Sequence, residues 1–175
     1  RFIVPPGGVP MQTQAVFHGT PYGRRQNWVS EPSLAGRLHC ATAAHPLARN
    51  QQLFDQLQQV AAQYLAEGHA VNDAAIREYA QSLQQIRLAE FTEWMAQLVQ
   101  WPAIVNLPSL AKFYGGRVIE AMAAGRPVIS WDIPGHPKNR SLFEADKDLL
   151  LFPLNDSQAL ALQIDRVLQD HTFAE

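Results

Sequence analysis

From position 103 the chain switches back and forth between two kinds of segment, and that alternation restricts the fold more than any other feature. AIVNL (103 to 107), PVISW (127 to 131) and DLLLF (148 to 152) are short, largely apolar runs. Between the first two lies a stretch with helical character, 116 to 124, and after the third comes another. Strand and helix signals in alternation predict parallel strands joined by crossover helices. Strands that read as near-continuous apolar runs belong in a sheet covered on both faces. The final helix is predicted to start at Asn155 or Asp156 and to bury Leu160, Ile164, Val167 and Leu168.

The first half adds two weaker strands and a helical block. QAVFHG (14 to 19) reads as a strand ending at Gly19, TPYGRR as a turn with two cations, and RLHCATA (37 to 43) as a second strand. NWVSEPSLAG predicts a short helix that Pro32 ends. RFIVPPGGVP, with three prolines and two glycines in ten residues, reads as a linker or hinge, so residues 1 to 13 are set apart from a domain spanning 14 to 175. From Gln51, Leu53, Phe54, Leu57, Val60, Ala61, Tyr64 and Leu65 recur at helical spacing until Glu67-Gly68-His69. A second series follows the caps Asn72 or Asp73, with Ile76, Tyr79, Leu83, Ile86, Phe91, Trp94 and Leu98 on one stripe and an expected break near Arg87. Segment 48 to 100 is therefore expected to form a helical hairpin inserted into an α/β domain with a mostly parallel, Rossmann-like three-layer architecture.

The segment YGGRVIEAMAAGRPVIS contains the clearest site signal. Glycines before a helix let a ligand approach the backbone, the first amides of the helix lack partners, and the helix dipole favours an anion there. Tyr114, Gly115 and Gly116 fit such a turn. Glu120 follows Gly116 by about one helical turn, so it faces the same way and is able to accept hydrogen bonds from sugar hydroxyls. The same spacing also suits an ordinary solvated glutamate on an ordinary glycine-led helix. Gly125 is the expected left-handed stop. Arg117 in the first turn opposes the dipole unless an anion arrives, and its guanidinium is suited to a diphosphate. Arg24 and Arg25, after the Gly19 turn, read either as groups neutralising a phosphate at the carboxyl end of the first strand or as a solvated pair at a helix start. His18 reads as a polar wall of the same cleft or as a histidine satisfied by the backbone.

Composition excludes several function classes. A formal net charge of -2 gives no general attraction to nucleic acid or to anionic lipid. No apolar run approaches the roughly 20 residues of a membrane span. Cys40 is the sole cysteine, which rules out an intrachain disulfide and predicts a reducing, cytoplasmic setting. His39 beside Cys40 lacks further ligands at zinc spacing, so no metal site is expected. The chain starts at Arg1, which predicts that it is a piece of a longer protein.

EAMAAGRPVIS, the Pro134-Gly135 turn, LFEADKDLLLF and the helix after FPLNDSQAL together resemble the carboxyl-terminal, nucleotide-sugar-binding half of the GT-B glycosyltransferases of group 1. The pattern is most similar to the spore-maturation-type branch, which Arg117 matches. VFHGTPYGRR resembles the first strand and turn of that family, and PPGGVP its interdomain hinge. The resemblance implies a half GT-B fold, a nucleoside-diphosphate sugar as donor, no cofactor, a hexosyltransferase-like activity, and an amino-terminal acceptor domain that this chain lacks. The fragment alone is then expected to bind without transferring. Glu120 corresponds to the acid that binds the donor ribose. Lys112 stands where the first acid of the paired-glutamate motif belongs, and His136 and Lys138 fall in a loop that lies near the sugar in the family. No catalytic base is assigned. The alternative is a non-catalytic sensor or scaffold of the same fold that uses the helical segment for protein contacts.

Overall fold

A computed structural model describes residues 12–42, 51–66, 68, 73–109, 114–135 and 141–170. Five strands form one sheet: β1 (Ala15–His18), β2 (Leu38–Ala41), β3 (Ile104–Asn106), β4 (Val128–Trp131) and β5 (Leu150–Phe152). Their order is β2-β1-β3-β4-β5, and every neighbouring pair is parallel. The domain is thus the Rossmann-like α/β arrangement that the alternation predicts. Every residue of β1, β3 and β4 is buried, as expected for strands covered on both faces. β2 is an edge strand and only partly covered, which accounts for its weaker apolar signal.

The helices are α1 (Arg24–Val29), α2 (Gln51–Ala66), α3 (Asp73–Leu98), α4 (Gly116–Ala123) and α5 (Ser157–Gln169). The chain divides into two compact units, 1–42 with 95–175, and 43–94. In the first unit α4 lies against β3 and β4, while α5 lies against β4, β5 and a 3-10 turn at Pro32–Leu34. The core joins Phe17, Trp28, Leu34, Leu107, Ile129, Trp131, Phe152, Leu160 and Ile164. Trp28 meets Phe152 edge to face at 5.3 Å between centroids. Asn106 and Ser130 are register partners in β3 and β4, and the Asn106 amide donates to Ser130 Oγ at 2.9 Å, so this buried polar pair is satisfied internally.

Two local expectations are corrected. The helix expected within NWVSEPSLAG begins earlier, at Arg24, because Gly23 takes φ 55° and starts the first turn there. Pro32 opens the separate 3-10 turn instead of closing that helix. The predicted break near Arg87 is absent: α3 runs unbroken, and it contains neither proline nor glycine to interrupt it. Gly125 (φ 66°) does supply the stop after α4, and Asp156 caps α5 by accepting from the Ala159 amide at 2.8 Å.

The second unit contains α2 and most of α3, and the Tyr64 hydroxyl donates to Glu78 Oε2 at 3.0 Å between them. The apolar stripe expected along α3 is only partly buried. Ile86 and Leu98 are buried, whereas Ile76, Tyr79 and Phe91 are exposed. Most of the hinge, residues 1 to 11, lies outside the described residues, as do Lys112, His136 and Lys138.

Candidate functional site

The chain leaves β1 toward β2 on one side and returns to β3 on the other, so β1 and β3 flank the point where strand order reverses. Open parallel sheets bind ligands outside the carboxyl ends of such strands. At this position the sheet ends in Phe17, His18 and Gly19, and the Phe17 ring serves as a platform for two cations. The guanidinium carbon of Arg25 lies 5.3 Å from its centroid and that of Arg117 lies 5.9 Å away. Arg25 also lies 4.9 Å from the Tyr22 ring, and its Nε donates to the Pro108 carbonyl at 3.1 Å. Contacts to ring faces favour a cation that has lost water.

Gly19 makes room for this arrangement. A Cβ at Gly19 would stand 3.0 Å from Phe17 Cζ and 3.2 Å from Arg117 Nη1, and its φ of 155° is one that side-chain-bearing residues rarely adopt. Burial holds the Arg117 pKa below its ordinary value, and the neighbouring positive charge of Arg25 lowers it further, while Glu120 and Tyr22 act in the opposite sense. Arg117 Nε is buried and has no hydrogen-bond partner among the described residues. Like charges brought together with an unfilled donor create a place for an anion.

The start of α4 completes the group. Gly115, in extended conformation (φ −67°, ψ 164°), is the residue before the first turn, and no side chain caps it. The first turn contains no acid, so the positive end of the dipole is not offset from within. Glu120 does face back as its spacing predicts: Oε1 lies 3.4 Å from where a Cβ on Gly116 would stand. Tyr114 forms a wall instead of an open turn, meeting Phe143 edge to face at 5.2 Å and packing against the core.

Of the residues singled out from the sequence, the structure brings Gly19, Arg25, Gly116, Arg117 and Glu120 together, with Gly115 and Tyr114 at the edge. Arg24 and Arg25 do not act as a pair. Successive helical residues point about 100° apart, and Arg24 lines two cavities while Arg25 lies over Phe17. His18 is a buried group: burial, then Arg117, then His39 lower its pKa to about 4, which leaves it neutral at neutral pH. Its ring meets Trp101 edge to face at 6.1 Å, and His39 stacks on the same indole at 4.9 Å. Among the described residues no group of three His, Cys, Asp or Glu side chains is placed to hold a metal ion. No described helix is long and apolar enough to cross a membrane.

Sequence reasoning missed a cavity of about 360 Å³ lined by Tyr22, Gly23, Arg24, Pro108, Ser109, Trp131 and Leu154. These residues follow or end β1, β3, β4 and β5, so the rule that ligands sit at the carboxyl ends of parallel strands would have pointed to them. A second, more polar cleft of about 250 Å³ is lined by Arg24, Asn27, Trp28, Glu31, Asn155 and Ser157. Neither lining includes Arg117 or Glu120.

Comparison of the chain with curated protein sequences returns no match. Residues 34–170, most of the chain, match the family model described as glycosyl transferases group 1. That span contains β2 to β5, the glycine-led helix with Arg117 and Glu120, and α5, and with this match the chain belongs to the group 1 glycosyltransferase family.

Proposed function

We propose that this chain is the donor-binding domain of a glycosyltransferase, the carboxyl-terminal half of a GT-B fold, and that it binds a nucleoside-diphosphate sugar. The sequence features similar to the spore-maturation-type branch place it on that branch in this reading. The observation that carries the proposal is the pair of guanidiniums on the Phe17 ring beside the uncapped start of α4, with Arg117 Nε lacking a partner among the described residues. An anion at that point meets two cations and a helix dipole in partly desolvated surroundings, where such contacts are strongest.

In this reading the diphosphate lies between Arg25, Arg117 and the first turn of α4, and the Glu120 carboxylate accepts hydrogen bonds from the ribose hydroxyls. Charge that develops on the leaving diphosphate is stabilised by groups already in position, which is the largest contribution a protein makes to many transfer reactions. The acceptor and its activating base belong to a separate domain, so the chain alone binds donor and does not transfer. The helical segment, residues 48 to 100, is in this reading an insertion into the donor-binding domain.

The test is thermal denaturation with a panel of UDP, GDP, ADP and dTDP sugars. A bound donor at a hundred times its dissociation constant adds about 2.7 kcal/mol of stability. Glu120→Ala and Arg117→Met remove the stabilisation. Absence of any shift across the panel contradicts the donor-site reading.

A further inference from the structure

We propose that Phe17 is a positioning residue for the anion site: its buried ring holds the Arg117 guanidinium in place before a ligand arrives, and shares in holding that of Arg25. Diphosphate affinity then depends on the electron density of a ring that never touches the ligand. This rests on the donor-binding reading and deepens it.

Two arginines near one another have a physical reason to separate. Each guanidinium regains hydration and escapes the repulsion of the other by swinging into water, and each side chain has rotamer freedom with which to do so. A group that keeps both in place must attract cations and must itself be immobile. Phe17 meets both conditions. Its ring face lies 5.3 Å from the guanidinium carbon of Arg25 and 5.9 Å from that of Arg117, within the range of cation–π attraction. The residue is 0% exposed and belongs to β1, which has parallel neighbours on both sides. Three atoms also crowd one point beside it. Phe17 Cζ, Arg117 Nη1 and Arg117 Nη2 lie 3.0, 3.2 and 3.5 Å from where a Cβ on Gly19 would stand. The tip of the ring and the end of the guanidinium therefore share the space that this glycine leaves open.

The two arginines differ in how much they need the ring. Arg25 has two further holds, the Pro108 carbonyl that accepts from its Nε and the Tyr22 ring at 4.9 Å. Arg117 Nε is buried without a hydrogen-bond acceptor among the described residues, so the ring face is the direct contact that holds this guanidinium. Weakening the ring's attraction lowers the fraction of molecules in which Arg117 is ready for an anion. Apparent affinity falls in proportion to that fraction.

Replacement of Phe17 by 3-fluoro- and 3,5-difluorophenylalanine in this chain tests the inference. Fluorine withdraws electron density from the ring face and changes its shape little, and Cζ, the atom crowded against Gly19, stays unsubstituted. UDP, GDP, ADP and dTDP are first titrated into the native chain by calorimetry, and the diphosphate that binds is the probe. Affinity is expected to fall with each fluorine, by about threefold or more with two, while the unfolding midpoint without ligand moves by no more than about 2 °C. In an Arg117→Met background the effect of the two fluorines is expected to shrink by half or more. Unchanged or tighter binding across the series overturns the inference and leaves the donor site standing. So does a fluorine effect that persists in full with Arg117→Met, because the ring would then not be acting through that arginine. Loss of affinity that only follows a loss of folding stability assigns Phe17 to the core alone and overturns it as well. Failure of every diphosphate to bind the native chain overturns the donor-binding reading, and this inference with it.

Discussion

Arg117 occupies the space that a side chain on Gly19 would need: its Nη1 lies 3.2 Å from the Cβ position of that glycine. The two residues are 98 positions apart in the chain, and they meet because β1 and β3 are neighbours in the sheet. Gly19→Ala must therefore displace the guanidinium or the Phe17 ring and also strain the backbone at φ 155°. The expected cost is about 1–3 kcal/mol of folding stability, together with weaker binding of nucleoside diphosphate. Gly125→Ala is the control. Its φ of 66° also disfavours alanine, but a Cβ there meets nothing within 4 Å, so stability should fall by about 1 kcal/mol and diphosphate binding should not change. Denaturant unfolding and calorimetry on both variants separate local strain from the contact with Arg117.

Arg25 and Arg117 repel each other in the absence of an anion, so removing either should affect binding far more than folding. Arg117→Met and Arg25→Met are each expected to weaken diphosphate binding by roughly tenfold to a hundredfold, the range for hydrogen bonds to charged groups. Folding stability in the absence of ligand should change by no more than about 1 kcal/mol. Binding to the native chain should also weaken as salt is raised, and the salt dependence should be shallower in each variant. A variant that loses stability and binding in proportion would indicate a structural role for that arginine.

His18 should make stability depend on pH in mildly acidic solution. Its folded pKa of about 4 is below the ordinary 6.5, so between those values the unfolded chain binds the proton and the folded chain does not. Its contribution is fully present above pH 6.5, declines as pH falls, and is lost below about 4. The shift corresponds to at most about 3 kcal/mol. His18→Phe should lose less stability than the native chain between pH 7 and pH 4, by up to that amount. Parallel pH profiles for the two proteins would show that His18 titrates normally.

Asp156 accepts from the Ala159 amide and caps the helix that covers β4 and β5. Asp156→Ala is expected to cost about 1 kcal/mol without affecting diphosphate binding, since the cap is not among the residues at the ends of β1 and α4. Thermal denaturation with and without nucleotide measures both parts.

Much of the local structure is legible in the sequence. The strands at 103 to 107 and 127 to 131 are largely apolar, and each survives with its ends shortened by at most one residue at either end. The turn from Gly115 to Glu120 is legible because one helical turn separates the glycine from the acid. The unbroken course of α3 through Arg87 was not, since a lapse in apolar periodicity weakens a burial signal without interrupting the helix. The extent of burial on its stripe was equally hidden: Tyr79 and Phe91 recur at the right spacing, yet both are exposed. Spacing reports which residues share a face and says nothing about what covers it.

Residue order alone determined the βα alternation, the glycine stops, the capped last helix, and the placement of Arg117 and Glu120 within one short helix. These depend on contacts between residues a few positions apart, where backbone geometry leaves little choice. Only the tertiary structure decided that β1 lies beside β3, which brings Gly19 and Arg25 to Arg117, directs Arg25 and not Arg24 over Phe17, and opens the cavity at Trp131 and Leu154. Strand order is set by long-range burial shared across the whole sheet, and no local pattern in the sequence encodes which strand ends will be neighbours.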